Sequence, residues 1–237
     1  MNELMYLEYP YLYQAKAEIT GSADDERGQY LTLSKTIFYP QGGGQPADQG
    51  EIFLAGVVYP VEDVRQVAGE VRHYYRGNVD SDSRGSTVTM SVDPVRRQLN
   101  SKFHTAGHLI AVVAEQSFPQ LHAIKGHQFP GEAYVEFAGV VDVDDDFVDL
   151  FNVAIQVVIA KNLVVNIMTH GSDSGNTVAN TTAALSKNKQ TRFCQIDGFP
   201  PHPCGGTHVR TLQEINSCYI KRAKCRKSKT KIYYEVA

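Results

Sequence analysis

The chain has 237 residues, of which 42% are hydrophobic and 21% charged, and its formal net charge at pH 7 is −3. These fractions are typical of globular proteins and exclude a wholly disordered chain or a long coiled coil. The most apolar stretch, residues 151–168, is interrupted by polar side chains, and the first residues lack a basic segment followed by an apolar run, so we expect neither a membrane span nor a secretory signal.

Residues 1–92 have the pattern of a small β-barrel. Thr87–Val92 alternates polar and apolar residues, which is typical of a half-buried strand. Three earlier segments are rich in β-branched and aromatic residues, namely Gln29–Phe38, Glu51–Tyr59 and Glu70–Arg76. Glycine-containing turn signals separate these segments, beginning with Gly21-Ser22. Short strands with frequent turns predict a small barrel.

The hydrophobic period changes at Asp93-Pro94, where aspartate is a good helix N-cap and proline a good first helical residue. Apolar residues then recur every three or four positions, which predicts an amphipathic helix that ends before Pro119. They are Val95, Leu99, Phe103, Ala106, Ile110 and Val113. We therefore place a domain boundary here, with a barrel domain at 1–92 and a second domain at 93–237.

The second domain is predicted to be α+β, so the whole chain is assigned to the α+β class. A second helix is expected over 147–161, preceded by acidic residues that suit the positive end of a helix and followed by Asn162 in the left-handed conformation. Strands are expected at 134–137, 163–168, 193–196, 219–222 and 231–236. The polar segment 172–180 is expected to be a loop.

Two pairs of residues have the spacing of metal ligands. His104 and His108 lie four residues apart, on one face of the predicted helix, and Cys204 and His208 flank a Gly-Gly-Thr turn that follows several prolines. Two histidines with a cysteine and a third histidine form the ligand set of a tetrahedral zinc site. The general-base glutamate of HExxH peptidases is missing between the first two histidines, so a peptidase is not expected. The spacing does not decide between a closed structural site and a catalytic site with an open position.

Two further segments have more than one interpretation. Residues 38–50 contain three consecutive glycines without the Gly-Lys-Ser/Thr of a P-loop, so they form either a site where backbone N–H groups meet an anion or a long hairpin loop. Residues 221–231 hold seven lysines and arginines and no acid, so they either contact phosphates or form a solvated edge strand. The four cysteines all lie in the last fifth of the chain, which favours reduced cysteines in the cytoplasm over a disulfide framework.

Taken in this order, the three motifs resemble those of the freestanding alanyl-tRNA editing proteins of the AlaX type, in their medium-length form. These are similar to the editing domain of alanyl-tRNA synthetase. The HxxxH motif of that family is matched by His104 and His108, and its Cys-x-Gly-Thr-His motif by 204–208. Its glycine-rich segment is matched by 38–50, with Gln41 where the family usually has glutamate.

The resemblance implies an alanyl/threonyl-tRNA-synthetase-like editing fold and hydrolysis, without ATP, of the ester that joins a wrong amino acid to tRNA(Ala). Serine is the first candidate amino acid and glycine the second. It also implies one zinc ion per chain, held by His104, His108, Cys204 and His208. The partner would be the acceptor end of tRNA(Ala), and the location cytoplasmic.

Further roles are assigned to residues of the matching motifs and to the segment after the first helix. The candidate substrate-binding residues are Gly42, Gly43, Gly44, Gln45 and Asp48, and the candidate catalytic residues are Thr207, Lys125 and His127. Lys125 and His127 are expected in an exposed loop. Either zinc activates the attacking water, or zinc holds the substrate while another water attacks.

Two other functions fit the same residues. In the first, zinc only staples the fold and the basic run binds RNA without chemistry. In the second, the site hydrolyses small esters or amides, an alternative that stays open because the net charge is not basic.

Overall fold

The computed structural model describes residues 3–170 and 191–237, and within them the chain has a mixed α+β fold with a closed six-stranded barrel and two α-helices. The helices are α1 (Pro94–Ser117) and α2 (Asp145–Ala160). The strands are β1 (Glu3–Leu4), β2 (Gln14–Asp25), β3 (Gly28–Leu33), β4 (Lys35–Thr36), β5 (Gly50–Leu54), β6 (Val57–Val67), β7 (Glu70–Tyr75), β8 (Thr87–Val92), β9 (His122–His127), β10 (Tyr134–Ala138), β11 (Val165–His170), β12 (Thr191–Ile196), β13 (His202–Pro203), β14 (Cys218–Arg226) and β15 (Lys229–Val236). The loop predicted at 172–180 lies outside the described residues.

The barrel closes in the strand order β2-β3-β7-β6-β5-β8. The alternation predicted for β8 is confirmed, because Val88, Met90 and Val92 point inward and are at most 2% exposed. The turn predicted at Gly21-Ser22 is wrong. Both residues lie inside β2, where the pairing with β3 shifts by one residue, so Gly21 marks a β-bulge.

The single strand predicted over 51–59 is also wrong, because the chain reverses in the middle of this segment. β5 and β6 form an antiparallel hairpin whose two-residue turn is Ala55-Gly56, with φ values of 50° and 83°. A two-residue turn with both φ values positive matches the right-handed twist of the flanking strands. Glycine adopts such a φ without strain, and an Ala-Gly pair inside an apolar run is the turn signal that the pattern concealed.

Helix α1 begins as the sequence predicts, with Pro94 in its first turn and the Asp93 carboxylate accepting hydrogen bonds from the backbone N–H groups of Val95 and Arg96. The first part of its predicted buried stripe is wrong. Val95 is 74% exposed and Leu99 is 38% exposed. The first turns of α1 instead bury Arg97 and Asn100, because at this end the helix packs against polar groups of the barrel's glycine-rich loop.

The second half of the chain is built around the antiparallel sheet β14-β15-β10-β9, whose inner face packs against both helices. That inner face is apolar and includes Val135, Phe137 and Ile232. Helix α2 begins two residues before the predicted start, where the Asp144 carboxylate accepts the N–H of Phe147 at 2.8 Å. Asn162, just beyond α2, has φ 48°, so the left-handed conformation predicted for it is confirmed.

The glycine-rich loop joins the barrel to the second half of the chain through a buried ion pair. Asp48 and Arg97 are 0% and 1% exposed, and Arg97 Nε lies 3.0 Å from Asp48 Oδ1. The loop also contacts the sheet, because the backbone carbonyl of Gly44 accepts the N–H of Gln128 at 2.9 Å. These contacts hold residues 44–48 beside the middle of α1, where the predicted metal ligands lie.

Candidate metal centre

Helix α1 provides two of the four predicted ligands. His104 and His108 are one turn apart, and their rings stack with centroids 5.2 Å apart. His104 is 2% exposed, whereas His108 is only half-buried. One imidazole is therefore held in the interior and the next faces the border of the site.

The loop that follows β13 provides the other two ligands, and its path is fixed by Arg192. The Arg192 Nη1 atom donates to the carbonyl oxygens of Cys204 and Gly206 at 2.9 and 2.8 Å. The loop passes so close to α1 that a Cβ at Gly206 would overlap the His104 ring. Glycine at 206 is therefore what allows the thiol and the imidazoles to converge.

The structure brings the four predicted ligands together. The Cys204 sulfur lies 3.3 Å from His104 Nε2 and 3.1 Å from His208 Nε2. One donor atom from each of His104, His108, Cys204 and His208 lies within 4.8 Å of the others. This spacing allows all four to face a single ion.

The hydrogen bonds around His104 determine which of its ring nitrogens can bind a metal. The Gln45 Oε1 atom lies 2.7 Å from His104 Nδ1 and accepts the backbone N–H of Thr207 at 3.0 Å. Because Oε1 is an acceptor, Nδ1 must carry the proton and donate it. The lone pair of His104 is then on Nε2, the nitrogen that faces the Cys204 sulfur.

His208 reaches the same state through Thr105. The Thr105 hydroxyl donates to the carbonyl oxygen of Ser101 at 2.8 Å, so it accepts from His208 Nδ1 at 3.1 Å. The lone pair of His208 is therefore also on Nε2. Ligating histidines are characteristically held in this way, with the other ring nitrogen donating to a protein oxygen.

Burial keeps these side chains uncharged at neutral pH. It lowers the pKa of His104 to about 3 and the pKa values of His108 and His208 well below the ordinary value of 6.5. It also raises the pKa of the Cys204 thiol, an effect that the Gly206 N–H and Arg192 partly oppose. Neutral imidazoles are the form that binds metals, and a cation among them would favour the thiolate.

The chemistry of the donors fits zinc. Three imidazole nitrogens and one sulfur suit a borderline-soft ion that takes nitrogen and sulfur ligands in tetrahedral geometry. Magnesium and calcium prefer oxygen ligands, which this cluster does not supply from the four side chains. His108 and Cys204 are half-buried, so a ligand from solvent has a way to the cluster on their side.

A cleft of about 530 Å³ lies between the glycine-rich loop and β9. Gly42 and Gly43 are exposed at its rim, and Lys125 and His127 lie on the opposite wall. The loop predicted for Lys125 and His127 is wrong, because both residues belong to β9, an edge strand paired with β10. Their side chains nonetheless face the cleft region, as a substrate-contacting role requires.

Three of the predicted substrate-binding and catalytic residues are in the interior. Gln45, Asp48 and Thr207 are all 0% exposed. The predicted substrate contact of Asp48 does not fit this placement, because its carboxylate is enclosed by Arg97 and by the backbone N–H of Tyr39. Thr207 is held between the Ser101 hydroxyl at 2.7 Å and Gln45 Nε2 at 2.9 Å. Gln45 and Thr207 therefore position the ligands.

Sequence reasoning missed several residues around the cluster. Thr105 and Ser101 orient His208 through one chain of hydrogen bonds, and Arg192 holds the cysteine loop. A hydroxyl residue directly after His104 is a signal for Thr105, since it lies on the same part of the helix as the ligands. For Arg192 the sequence offers no signal, because it lies in β12, outside both motifs, twelve residues before Cys204. His202 was missed as well. Its ring centroid lies 6.0 Å from that of His108, and its Nε2 atom lies 3.7 Å from Glu115 Oε2.

Comparisons with known proteins match one family model and several named relatives. The family model described as tRNA synthetases class II (A) matches residues 10–96. A protein named alanyl-tRNA editing protein AlaX-M from Methanosarcina barkeri is 29% identical over 99% of this chain and 98% of its own length. The AlaX-L protein of Pyrococcus horikoshii is 27% identical over 94% of this chain and 54% of its own length. The alanine–tRNA ligase of Korarchaeum cryptofilum is 28% identical over 94% of this chain and 25% of its own length.

The chain thus spans almost all of the AlaX-M relative, about half of the AlaX-L relative and a quarter of the ligase. The resemblance predicted from the three motifs is confirmed, because relatives of that name match over nearly the whole chain. Among the described residues, no helix has the length and apolar composition needed to cross a membrane.

Proposed function

We propose that this chain, which is similar over nearly its whole length to the alanyl-tRNA editing proteins named AlaX-M, is a freestanding hydrolase that removes wrong amino acids from tRNA(Ala). The observation that carries the proposal is the cluster of four donors. The lone pairs of His104 and His208 face the Cys204 sulfur, and each second ring nitrogen is tied to a protein oxygen. Such an arrangement is suited to holding a metal ion beside a cleft.

The ion is proposed to be zinc, one per chain, held by His104, His108, Cys204 and His208. Bound there, zinc would supply Lewis-acid polarisation, either of the ester carbonyl or of the attacking water.

The residues of the chain supply orientation. Gln45 and Thr105 fix the tautomers of the two buried imidazoles, so no proton must leave either Nε2 atom before it can act as a ligand. The exposed glycines at the rim of the cleft allow close approach of a nucleotide backbone. Lys125, exposed on the opposite wall, offers a cation to the negatively charged terminal nucleotide. Aminoacyl esters are already activated, so positioning of this kind removes much of the barrier.

Serine is the proposed amino acid, with glycine as a second substrate. The activation pocket of a ligase rejects a substrate analogue weakly when the analogue merely adds a hydroxyl or lacks a methyl group. An editing pocket that hydrogen-bonds the serine hydroxyl leaves its own polar group unpaired when alanine enters, at a cost of about 1–3 kcal/mol. A site of this type therefore spares correctly charged tRNA.

The test is deacylation of seryl-, glycyl- and alanyl-tRNA(Ala) by the zinc-loaded protein. We expect rapid loss of serine and retention of alanine, and glycine, which also lacks the hydroxyl, is a second substrate only if it is lost faster than alanine. The matched pair of variants is Cys204→Ser, which changes a ligand, and Cys225→Ser, which changes a half-buried cysteine outside the cluster. Loss of activity in both variants alike, or intact seryl-tRNA at stoichiometric protein, would refute the proposal.

A zinc-stapled RNA-binding module is the second candidate, and one observation favours it. Four protein donors are enough to fill a tetrahedral site, as in structural zinc sites. In that case Cys204→Ser would lower the melting temperature of the protein and there would be no deacylation to lose. In the editing enzyme, X-ray absorption of the zinc-loaded protein should change when a non-hydrolysable seryl-adenosine analogue is added. A cytoplasmic location is part of the proposal and is tested by cell fractionation.

A further inference from the structure

Helix α2 is apolar on two opposite sides, and the chain covers only one of them. The inner side lies in the core and carries a buried aromatic or isoleucine residue at every fourth position, namely Phe147, Phe151, Ile155 and Ile159. On the opposite side Leu150, Val153 and Val157 are 71%, 63% and 53% exposed. We call these three residues the outer face of α2. A surface helix ordinarily has polar residues at such positions, so an apolar outer face marks a contact surface.

Hydrogen bonds to the edge strand β14 fix the rotation of α2. The Asn152 Oδ1 atom accepts the backbone N–H of Ile220 at 2.6 Å, and its Nδ2 atom donates to the Ile220 carbonyl at 3.2 Å. One turn later, Gln156 Nε2 donates to the Cys218 carbonyl at 2.6 Å. Turning the outer face inward would break these bonds and expose the aromatic inner side. The outer face therefore stays in water unless another molecule covers it.

Opposite charges bound the outer face at equal spacings. Asp146 lies four residues before Leu150, and Lys161 lies four residues after Val157. Four residues are about one helical turn, so both charges lie on the same side of the helix as the outer face. Both side chains are exposed, and among the described residues neither forms an ion pair. Read from either end, the positions are the same and only the sign of the charge is reversed.

We propose that the outer face of α2 binds a second copy of this chain, with the two helices antiparallel about a two-fold axis beside Val153. In this arrangement Leu150 of each copy packs on Val157 of the other, and Asp146 of each copy faces Lys161 of the other. A parallel arrangement would bring the two Asp146 carboxylates together. RNA and anionic lipid are unsuitable occupants, because they would meet aspartate and aliphatic side chains instead of cations.

The size of α2 sets the strength of the contact. Its 16 residues span about 24 Å at 1.5 Å per residue. One face of such a helix is smaller than the roughly 800 Å² per partner of a standard stable interface. The dimer is therefore expected to be weak and to form as the protein concentration rises through the micromolar range. Both clefts stay open in it, because α2 packs on β14 and the cleft lies at β9, the opposite edge of the sheet.

The experiment is sedimentation equilibrium of the full chain, from low micromolar to several hundred micromolar. Reducing buffer is required, since the four cysteines are free and could form disulfides between copies. The wild type should change from monomer to dimer. Val153→Asp should remain monomeric, because two carboxylates would meet beside the axis, and should keep the wild-type melting temperature, because the side chain is 63% exposed. The matched control Val57→Asp changes a half-exposed valine of the barrel and should dimerise as the wild type does.

Charge exchange tests the antiparallel arrangement directly. Asp146→Lys and Lys161→Asp each replace two ion pairs by contacts between like charges, so each variant alone should dimerise about tenfold more weakly than the wild type. An equimolar mixture of the two variants should recover the wild-type affinity, because every facing pair in the mixed dimer has opposite charges. The readout is the average mass of the mixture compared with that of each variant at the same total concentration.

Three results would overturn the dimer. They are a wild type that is monomeric at every concentration, a Val153→Asp variant that dimerises as tightly as the wild type, and a mixture that associates no more tightly than its two components. Binding of the wild type to phosphatidylcholine vesicles, lost in Val153→Asp, would overturn it as well by identifying a lipid surface as the occupant. Neither tRNA nor zinc takes part in this contact, so a failed deacylation assay and a failed dimerisation assay remain separate results.

Discussion

Helix α1 takes part in two buried polar clusters. One is an ion pair near its N-terminus, and the other is the four-donor cluster of His104, His108, Cys204 and His208. Arg97 near its N-terminus is surrounded by acceptors, namely the Asp48 carboxylate and the backbone carbonyls of Pro10 and Ile37. Two turns further on, His104 and His108 join Cys204 and His208, and one donor atom of each lies within 4.8 Å of the others. In the first cluster the guanidinium has its counter-ion within the chain, and in the second four donor atoms converge where they could hold a metal ion.

The glycine-rich loop contributes a residue to each cluster. Asp48 pairs with Arg97, and Gln45, three residues earlier, orients His104. The ion pair fixes the loop at Asp48, and the same loop places Gln45 against His104. One end of the loop is thus held by a buried ion pair, and the other end provides the glutamine that orients a histidine of the four-donor cluster.

The largest effect on activity should come from removing one donor of the four-donor cluster. Cys204→Ser is expected to reduce bound zinc well below one per chain and to reduce deacylation of seryl-tRNA(Ala) to the uncatalysed rate, because the sulfur is the donor nearest to both buried imidazoles. Metal analysis and a deacylation assay check this. Full zinc content in the variant would show that the sulfur is not a ligand.

Breaking the ion pair between Asp48 and Arg97 should lower the free energy of unfolding. Asp48→Ala leaves the Arg97 guanidinium buried without its carboxylate, which is expected to lower the free energy of unfolding by about 3–5 kcal/mol. Asp63→Ala removes the partner of the half-exposed Arg65 and should cost less than about 1 kcal/mol. Urea denaturation of both variants is the measurement, and similar losses in the two would mean that burial does not distinguish the pairs.

The barrel also buries a histidine, His73, which lies outside the four-donor cluster. His73 is 0% exposed and both ring nitrogens have protein partners, the Thr36 hydroxyl at 2.8 Å and the Leu31 carbonyl at 3.1 Å. Burial lowers its pKa from 6.5 to about 4. The unfolded chain therefore takes up a proton that the folded chain refuses between these pH values, and stability is full above pH 6.5 and falls as the pH drops toward 4.

The decrease in the free energy of unfolding that is due to His73 should approach about 3 kcal/mol at pH 4, because each unit of pKa shift corresponds to about 1.4 kcal/mol. Denaturation of the metal-free protein at pH 7.5 and pH 4.5 tests it. His73→Gln should show a smaller difference between the two pH values than the wild type does, since the other histidines are common to both. An equal difference in the two proteins would mean that His73 is not the group responsible.

The smallest effect should come from the residue that links the two clusters. Gln45→Ala removes the acceptor of His104 Nδ1, which is expected to weaken zinc binding by about 10–100-fold without removing a ligand. Competition with a chelator measures the affinity. Gln49→Ala changes an exposed glutamine of the same loop and should leave the affinity unchanged. Equal zinc affinities in the two variants would mean that Gln45 does not orient a zinc ligand.

Local patterns in the sequence were sufficient for helix α1 and for the identity of the four donors. The N-cap and proline at 93–94 act within one turn, and the spacing of His104 and His108 is a property of any α-helix. The turn within 51–59 and the strand nature of Lys125 and His127 were predicted wrongly, because short apolar segments are compatible with either outcome until a partner strand is known.

By itself the sequence determined which side chains could bind a metal, since ligand chemistry belongs to residue types and their spacing. Tertiary structure alone decided that Gln45 and Thr105 orient those ligands and that Asp48 is enclosed by Arg97 instead of facing a substrate. It also placed basic residues of the C-terminal run on the edge strand β14 and left one apolar face of α2 exposed. The physical reason is that hydrogen-bond partners and strand neighbours distant in the chain are selected by packing, which no local pattern encodes.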